Sequence, residues 1–146
     1  MSDAGYPGIS DPGYILVNEC IANNISVSVV NGSSAFLSAL IPSGINTSHF
    51  YFYGFLSAKK QEAISELKTL KNYPDTLIFY EAPHRINDTL NILLEVWGNR
   101  KAVIARELTK INEEFIRGSL EELVEIDPTS LKGEMVIVVE GNKVLE

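Results

Sequence analysis

The stretch Ser2 to Gly13, S-D-A-G-Y-P-G-I-S-D-P-G, constrains this chain more than any other. Its twelve residues hold three glycines, two prolines and two aspartates, a density of turn-forming types that points to an irregular, closely defined loop. Gly5 and Gly8 can take positive φ or let a ligand approach the main chain with no Cβ in the way. Pro7 and Pro12 stiffen the path between them. Composition alone reads the segment as a tight inter-element turn, because no phosphate fingerprint of the G-x-G-x-x-G or G-x-x-x-x-G-K-[ST] kind is present. Asp11-Pro12 then reads as a helix N-cap followed by proline at the first helical position. Loop and helix start therefore converge, and open α/β sheets hold ligands at such places, outside the carboxyl ends of strands.

At 146 residues and 45% hydrophobic, the chain can bury a core and would ordinarily be read as one domain. Twelve basic against nineteen acidic residues give a formal charge of −7, which argues against a broad phosphate-binding face and leaves room for a local basic patch. Cys20 stands alone on an expected helix, so no intrachain disulfide forms, a reducing cytosol fits, and a buried structural thiol is the expected role. No apolar run reaches the roughly 18 residues of a membrane span, and there is no signal peptide. His49, His84 and Cys20 lack ligand spacing, so no metal is expected. No Ser/His/Asp signature appears.

Along the chain, Tyr14, Ile15, Leu16, Val17 and Ile21 supply the apolar face of a helix fading near Asn23-Asn24. The β-branched run Ile25 to Val30 reads as a strand. Gly32 and Ser33-Ser34 then lead into a capped helix, A-F-L-S-A-L-I, giving a strand–glycine–helix turn whose N–H groups point above the sheet. Pro42-Ser43-Gly44 ends that helix and, with Ile45 to Ser48, is the expected inter-domain linker. An aromatic strand spans His49 to Phe55. A helix follows from about Lys59 to Tyr73, with Ala63, Ile64, Leu67 and Leu70 on one side, and Pro74-Asp75 stops it. Thr76 to Tyr80 reads as a buried strand, and Ile86 to Trp97 as an amphipathic helix closed by Gly98. Ala102 to Arg106 and Glu113 to Gly118 read as strands, Leu120 to Ile126 as a short helix and Glu134 to Glu140 as the last strand. Alternating strands and helices indicate α/β layers.

Four motifs carry a resemblance. S-D-A-G-Y-P-G-I-S-D-P-G, F-Y-E-A-P-H-R (Phe79 to Arg85), A-R-E-L-T-K (Ala105 to Lys110) and K-G-E-M-V-I-V-V-E-G (Lys132 to Gly141) stand in order. The chain resembles the tetrapyrrole-methylase superfamily, in the branch that 2′-O-methylates a cytidine of small-subunit ribosomal RNA. The resemblance implies two α/β domains with S-adenosylmethionine in the cleft. Here a partial amino-terminal domain over residues 1–44 would be followed by a complete carboxyl-terminal domain with a mixed sheet over residues 45–146. Family members carry a strand, a glycine-rich loop and further elements ahead of the S-D-A-G loop, so Met1 reads as an engineered start and Leu145-Glu146 as vector sequence. Exposed apolar faces would then be covered by self-association into at least a dimer. The fragment is expected to be inactive alone, and its parent cytoplasmic.

By family position, cofactor contacts fall on Gly5, Tyr6, Pro7, Ile9, Gly32, Ser34, Ala35, Glu81, Ala105, Glu134 and Met135. Asn31 stands where the family usually has proline. A structure should show Gly5, Gly32, Glu81, Ala105 and Glu134 lining one cavity. Glu81 sits where a strand meets a helix beginning near Pro83, so it is either a helix-capping acid or a functional carboxylate beside the cofactor. His84 and Arg85 share that helix start. Arg106 and Glu107 end a strand, where a sheet presents functional side chains, or they form an ordinary surface ion pair. His84, Arg85, Arg106 and Lys110 could form a compact basic rim for an RNA backbone. Periodicity alone assigns Met135 to the core.

The implied reaction is in-line transfer of a sulfonium methyl group to a ribose 2′ oxygen, dominated by positioning, with Glu81 and Glu107 as the bases to test. Two alternatives stand beside it. One is methylation of a corrin or porphyrin precursor, which a deep apolar cleft without a basic rim would favour. The other is a non-catalytic interaction module, which cofactor-binding calorimetry would separate from an enzyme.

Overall fold

The computed structural model describes residues 5–143, so Ser2 to Ala4 of the opening loop and the closing Leu145-Glu146 lie outside the described residues. Two compact units divide the chain, Met1–Ala35 and Phe36–Glu146.

In the first unit the opening loop runs into helix α1, Tyr14–Ala22. Gly13 holds the N-cap position and no side chain caps the helix, contrary to the expected Asp11 cap. The first helical hydrogen bond runs from the Val17 N–H to the Gly13 carbonyl at 3.0 Å, so Asp11-Pro12 lies ahead of the helix, after a turn at Ser10 (φ 55). Within this unit α1 buries no side chain: Tyr14, Ile15, Leu16 and Ile21 are exposed, and Cys20 is half-buried where a buried thiol was expected. The expected strand over Ile25 to Val30 does not form. A strand needs a hydrogen-bonding neighbour. No second strand lies among the described residues of this unit, and Ile25, Val27, Val29 and Val30 stay exposed.

The second unit is built on one sheet. Helix α2 spans Ala35–Ser43 and strand β1 Phe50–Phe55; α3 is Lys60–Leu70, β2 Thr76–Glu81 and α4 Ile86–Trp97. Strands β3, Lys101–Arg106, and β4, Glu114–Ser119, then precede α5, Leu120–Val124, and a 3₁₀ turn, Pro128–Ser130, leads to β5, Met135–Val139. The order across the sheet is β1-β2-β5-β3-β4, with β1 and β2 parallel and every other pair antiparallel, so the sheet is mixed as expected.

Period-two alternation sorts side chains to two cores. Leu77, Phe79, Ala102, Ile104, Ile137 and Val139 face α3, α4 and α5, alongside Leu67, Leu90, Leu93 and Leu120. Ile78, Val103, Ala105, Val136 and Val138 face the other way, against Ala39 and Leu40 of α2 and Ile45. Being covered on both faces, β2, β3 and β5 read as nearly continuous apolar runs. Each fully buried Leu, Ile or Phe contributes about 1.5–3 kcal/mol. The division between units falls at the start of α2, ahead of the segment read as a linker, because Ala39, Leu40 and Ile45 are themselves core.

Helix ends follow local chemistry. Gly98 (φ 76) closes α4, as its position predicts. The helix begins at Ile86, as its apolar period sets, and Ala82 to Arg85, around Pro83, form a turn ahead of it closed by an Arg85 N–H to Ala82 carbonyl bond of 3.0 Å. A reciprocal capping box between Ser119 and Glu122 starts α5. The Trp97 indole donates to the Leu67 carbonyl at 2.7 Å and ties α4 to α3.

Candidate functional site

Register brings three of the four motifs to one sheet edge. Glu81 at the end of β2 lies opposite Met135 at the start of β5, and Met135 lies opposite Arg106 at the end of β3. Parallel β1 ends beside them, so the turns after β1, β2 and β3 and the approach to β5 share that edge. There the fold gathers Glu81, His84, Arg85, Ala105, Arg106, Glu107, Lys110, Glu134 and Met135, all of which the sequence singles out. Motifs distant in sequence become neighbours because antiparallel β5 inserts between β2 and β3.

The two candidate carboxylates differ. Glu81 is 3% exposed and points, like Leu77 and Phe79, towards the helical layer. Its Oε1 accepts the Ala82 N–H at 2.8 Å, its Oε2 accepts the Thr89 hydroxyl at 2.6 Å, and Arg85 Nε approaches Oε1 at 3.5 Å. Partners of this kind are what a buried carboxylate requires. Glu107 lies on the first turn beyond β3 with φ 51, a left-handed conformation rare for its type. Its N–H donates to the Glu134 carbonyl at 3.1 Å. Its Oε1 accepts the Glu134 N–H and the Lys110 ammonium, both at 3.2 Å. The carboxylate rests on Gly133 (φ 84), where any Cβ would collide with it.

Lys110 also approaches Glu134 Oε2 at 3.6 Å. The hydrogen bond to Glu107 holds the ammonium above the usual lysine range, and the charges of Glu107 and Glu134 act in the same direction. Arg106 pairs with Glu114 at 2.6 Å, across the β3–β4 ladder. The expected basic rim is therefore partly neutralised: Arg106 and Lys110 each face a carboxylate, and Arg85 is directed at main-chain carbonyls. His84 is exposed in the Ala82–Arg85 turn. Ala105 is fully buried on the α2 side, and Met135 is core on the helical side, as periodicity assigns it. A cleft of about 370 Å³ opens between Arg106, Glu107, Asn112, Lys132 and Gly133. Thr89, Glu114 and Gly133 are the partners that sequence reading missed. Only Gly133, inside the K-G-E-M motif, carried a signal.

In the first unit the two glycine turns meet. A Cβ on Gly32 would stand 3.2 Å from the Gly5 carbonyl carbon, and one on Gly5 (φ 67) would collide with the Ser33 carbonyl oxygen. The Tyr6 hydroxyl donates to Asn31 Oδ1 at 3.4 Å, so the residue that replaces the family's proline gains a partner. Gly8 (φ 84) has open space around it, and Ile9 is exposed. The Ser34 hydroxyl, just ahead of α2, makes no hydrogen bond among the described residues and so does not cap that helix. Of the five residues expected around one cavity, Gly5 and Gly32 lie together in this unit, and Glu81, Ala105 and Glu134 share the sheet edge of the other.

Among the described residues no group of three or more His, Cys, Asp or Glu could hold a metal, and no helix is long and apolar enough to cross a membrane. The family model of the tetrapyrrole (corrin/porphyrin) methylases matches residues 1–124. The chain belongs to that family. It is 49% identical over 143 residues to the ribosomal RNA small subunit methyltransferase I of Halalkalibacterium halodurans, covering 97% of this chain and 50% of that protein. The Streptococcus pyogenes protein of the same name is 46% identical over 145 residues, covering 99% and 50%. The chain thus spans about half the length of the curated relatives it matches. Among solved structures, the uroporphyrin-III C-methyltransferase of Thermus thermophilus, complexed with S-adenosyl homocysteine, superimposes with a TM-score of 0.65 at 16% identity. That match covers 93% of this chain and 62% of the other, and shows a shared fold.

Proposed function

We propose that the protein carrying this sequence is an S-adenosylmethionine-dependent methyltransferase that modifies the ribose 2′ oxygen of a cytidine in small-subunit ribosomal RNA. The observation that carries this reading is the near-50% identity to two ribosomal RNA small subunit methyltransferases I, over almost all of this chain. The gathering of three family motifs at one sheet edge supports it. So do the apposed glycine turns of the first unit, where missing side chains let two family loops pack main chain against main chain.

On this reading, residues 1–44 belong to the first domain and residues 45–146 form the second, with α2 contributing Ala39 and Leu40 to the core under the sheet of the second. Gly5, Tyr6, Pro7, Ile9, Gly32, Ser34, Ala35, Ala105, Glu134 and Met135 are the proposed cofactor neighbourhood, Ala105 and Met135 through main chain because their side chains are core. The bound cofactor supplies an electrophilic methyl group. The protein's task is to align the 2′ oxygen for in-line attack and to accept its proton. Of the two carboxylates, Glu107 is the better placed base, since its side chain is 20% exposed and that of Glu81 1%. Lys110 donates to Glu107 Oε1 at 3.2 Å and fixes the direction of that carboxylate. Arg106, Lys110 and His84 are the proposed RNA contacts. A cytoplasmic homodimer completes the proposal, and the 146-residue chain alone is expected to transfer no methyl group.

The test is transfer of labelled methyl from S-adenosylmethionine to small-subunit ribosomal RNA by the full-length protein. The expected product is an alkali-resistant dinucleotide carrying label on a cytidine ribose. Label on a base, or none, would overturn the proposal.

A further inference from the structure

The turn after β1 is fastened more heavily than its length requires. Leu56 and Ser57 take four hydrogen bonds to the side chains of Arg85, Glu62 and Glu66. Arg85 Nη2 donates to the Leu56 carbonyl at 3.2 Å and to the Ser57 carbonyl at 2.9 Å. The Ser57 N–H donates to Glu66 Oε2 at 3.0 Å, and its hydroxyl donates to Glu62 Oε2 at 2.8 Å. Immediately upstream the β1–β2 register slips between Phe52 and Gly54 (φ 88), a bulge of the kind that re-aims a strand end. The slip brings Phe55 as well as Phe52 against the Tyr80 ring.

Behind Arg85 stands a buried anchor. Glu81 faces Arg85 Nε at 3.5 Å and is itself held by the Thr89 hydroxyl of α4 and the Ala82 N–H. Two hydrogen-bond donors and an ion-pair partner on a carboxylate whose side chain is 1% exposed leave it no approach to a substrate proton. A planar guanidinium spanning two carbonyls and a carboxylate is fixed in orientation, which an ammonium could not reproduce.

We propose that Glu81, Arg85 and Thr89 are positioning residues that hold the Leu56–Ser57 main chain as a rigid wall of the methyl-transfer site, and that Arg85 is committed to these carbonyls instead of an RNA phosphate. The activity consequence rests on the methyltransferase reading; the fastening of the turn does not.

Two measurements separate the possibilities. Amide hydrogen exchange on this chain should show the Ser57 amide, which donates to Glu66, exchanging about tenfold faster or more in Arg85→Ala and Glu81→Gln, because a turn released from Arg85 opens more often. Ile137, in the sheet centre, should be unchanged. Arg85→Lys should fall between. If Arg85→Ala does not fold, Arg85→Lys and Thr89→Val give the same readout. In the full-length protein, Arg85→Ala should lower kcat without altering the salt dependence of RNA binding. A phosphate contact would instead reduce that slope by about 0.7–0.9. Unchanged exchange at Ser57, or a reduced slope, overturns the proposal. Failure of the wild-type protein to methylate RNA would remove the methyltransferase reading and leave the exchange result standing.

Discussion

In residues 36–143 each strand has a neighbour and β2, β3 and β5 are covered on both faces, whereas in residues 5–35 the β-branched run Ile25 to Val30 has no partner strand and α1 buries nothing. Local propensity is similar in both. Val29-Val30 is as good a strand sequence as Val138-Val139, yet only the latter pair sits in a ladder. Pairing and burial convert propensity into structure, as tertiary context commonly does.

Hydrogen exchange offers the widest separation. Amides of Val136 to Val138 should exchange only through global opening, and those of Ile25 to Val30 orders of magnitude faster. Equal protection in the two runs would break the contrast. A smaller but still large effect is expected of Ile104→Ala, which empties a fully buried central position and should cost about 2–5 kcal/mol in urea unfolding followed by Trp97 fluorescence. Val30→Ala, at an 87% exposed residue, should stay within about 0.5 kcal/mol.

Next comes Gly133→Ala. It forces a side chain into left-handed backbone beneath the Glu107 carboxylate and should cost about 1–3 kcal/mol. On the proposed reading, the full-length protein carrying it should lose methyl transfer with S-adenosyl homocysteine binding retained. Ser119→Ala removes one half of the α5 capping box and should cost about 1 kcal/mol. The other half is titratable. The Ser119 N–H, then its hydroxyl, hold the Glu122 carboxyl below its ordinary range. A depressed carboxyl contributes stability above its unfolded pKa and loses it as pH falls through the folded value. Wild type should therefore lose its advantage over Glu122→Gln on acidification below the ordinary carboxylate range.

Much of the second unit was legible because apolar runs and their punctuation were unambiguous: Gly98 stops α4, Pro74-Asp75 separates α3 from β2, and the aromatic run Phe50–Phe55 forms β1. Three of the motifs quoted from the sequence end at one edge of the sheet. What the sequence did not disclose was side-chain direction. Glu81 could be an outward base or an inward anchor, and only the parity it shares with Leu77 and Phe79, together with Thr89 across from it, turns it inward. Arg85 likewise looked like a free cation until the turn after β1 came within its reach. The Asp11 cap failed because Ser10 turns the chain before Pro12 can start a helix.

The edge where β2, β5 and β3 end is tested most directly by Glu107→Gln in the full-length protein, with methyl transfer to small-subunit ribosomal RNA and S-adenosyl homocysteine binding measured on the same preparation. Loss of a general base predicts a fall in turnover of about a hundredfold or more with homocysteine-ligand affinity within about twofold. Turnover equal to wild type would contradict a base at this edge.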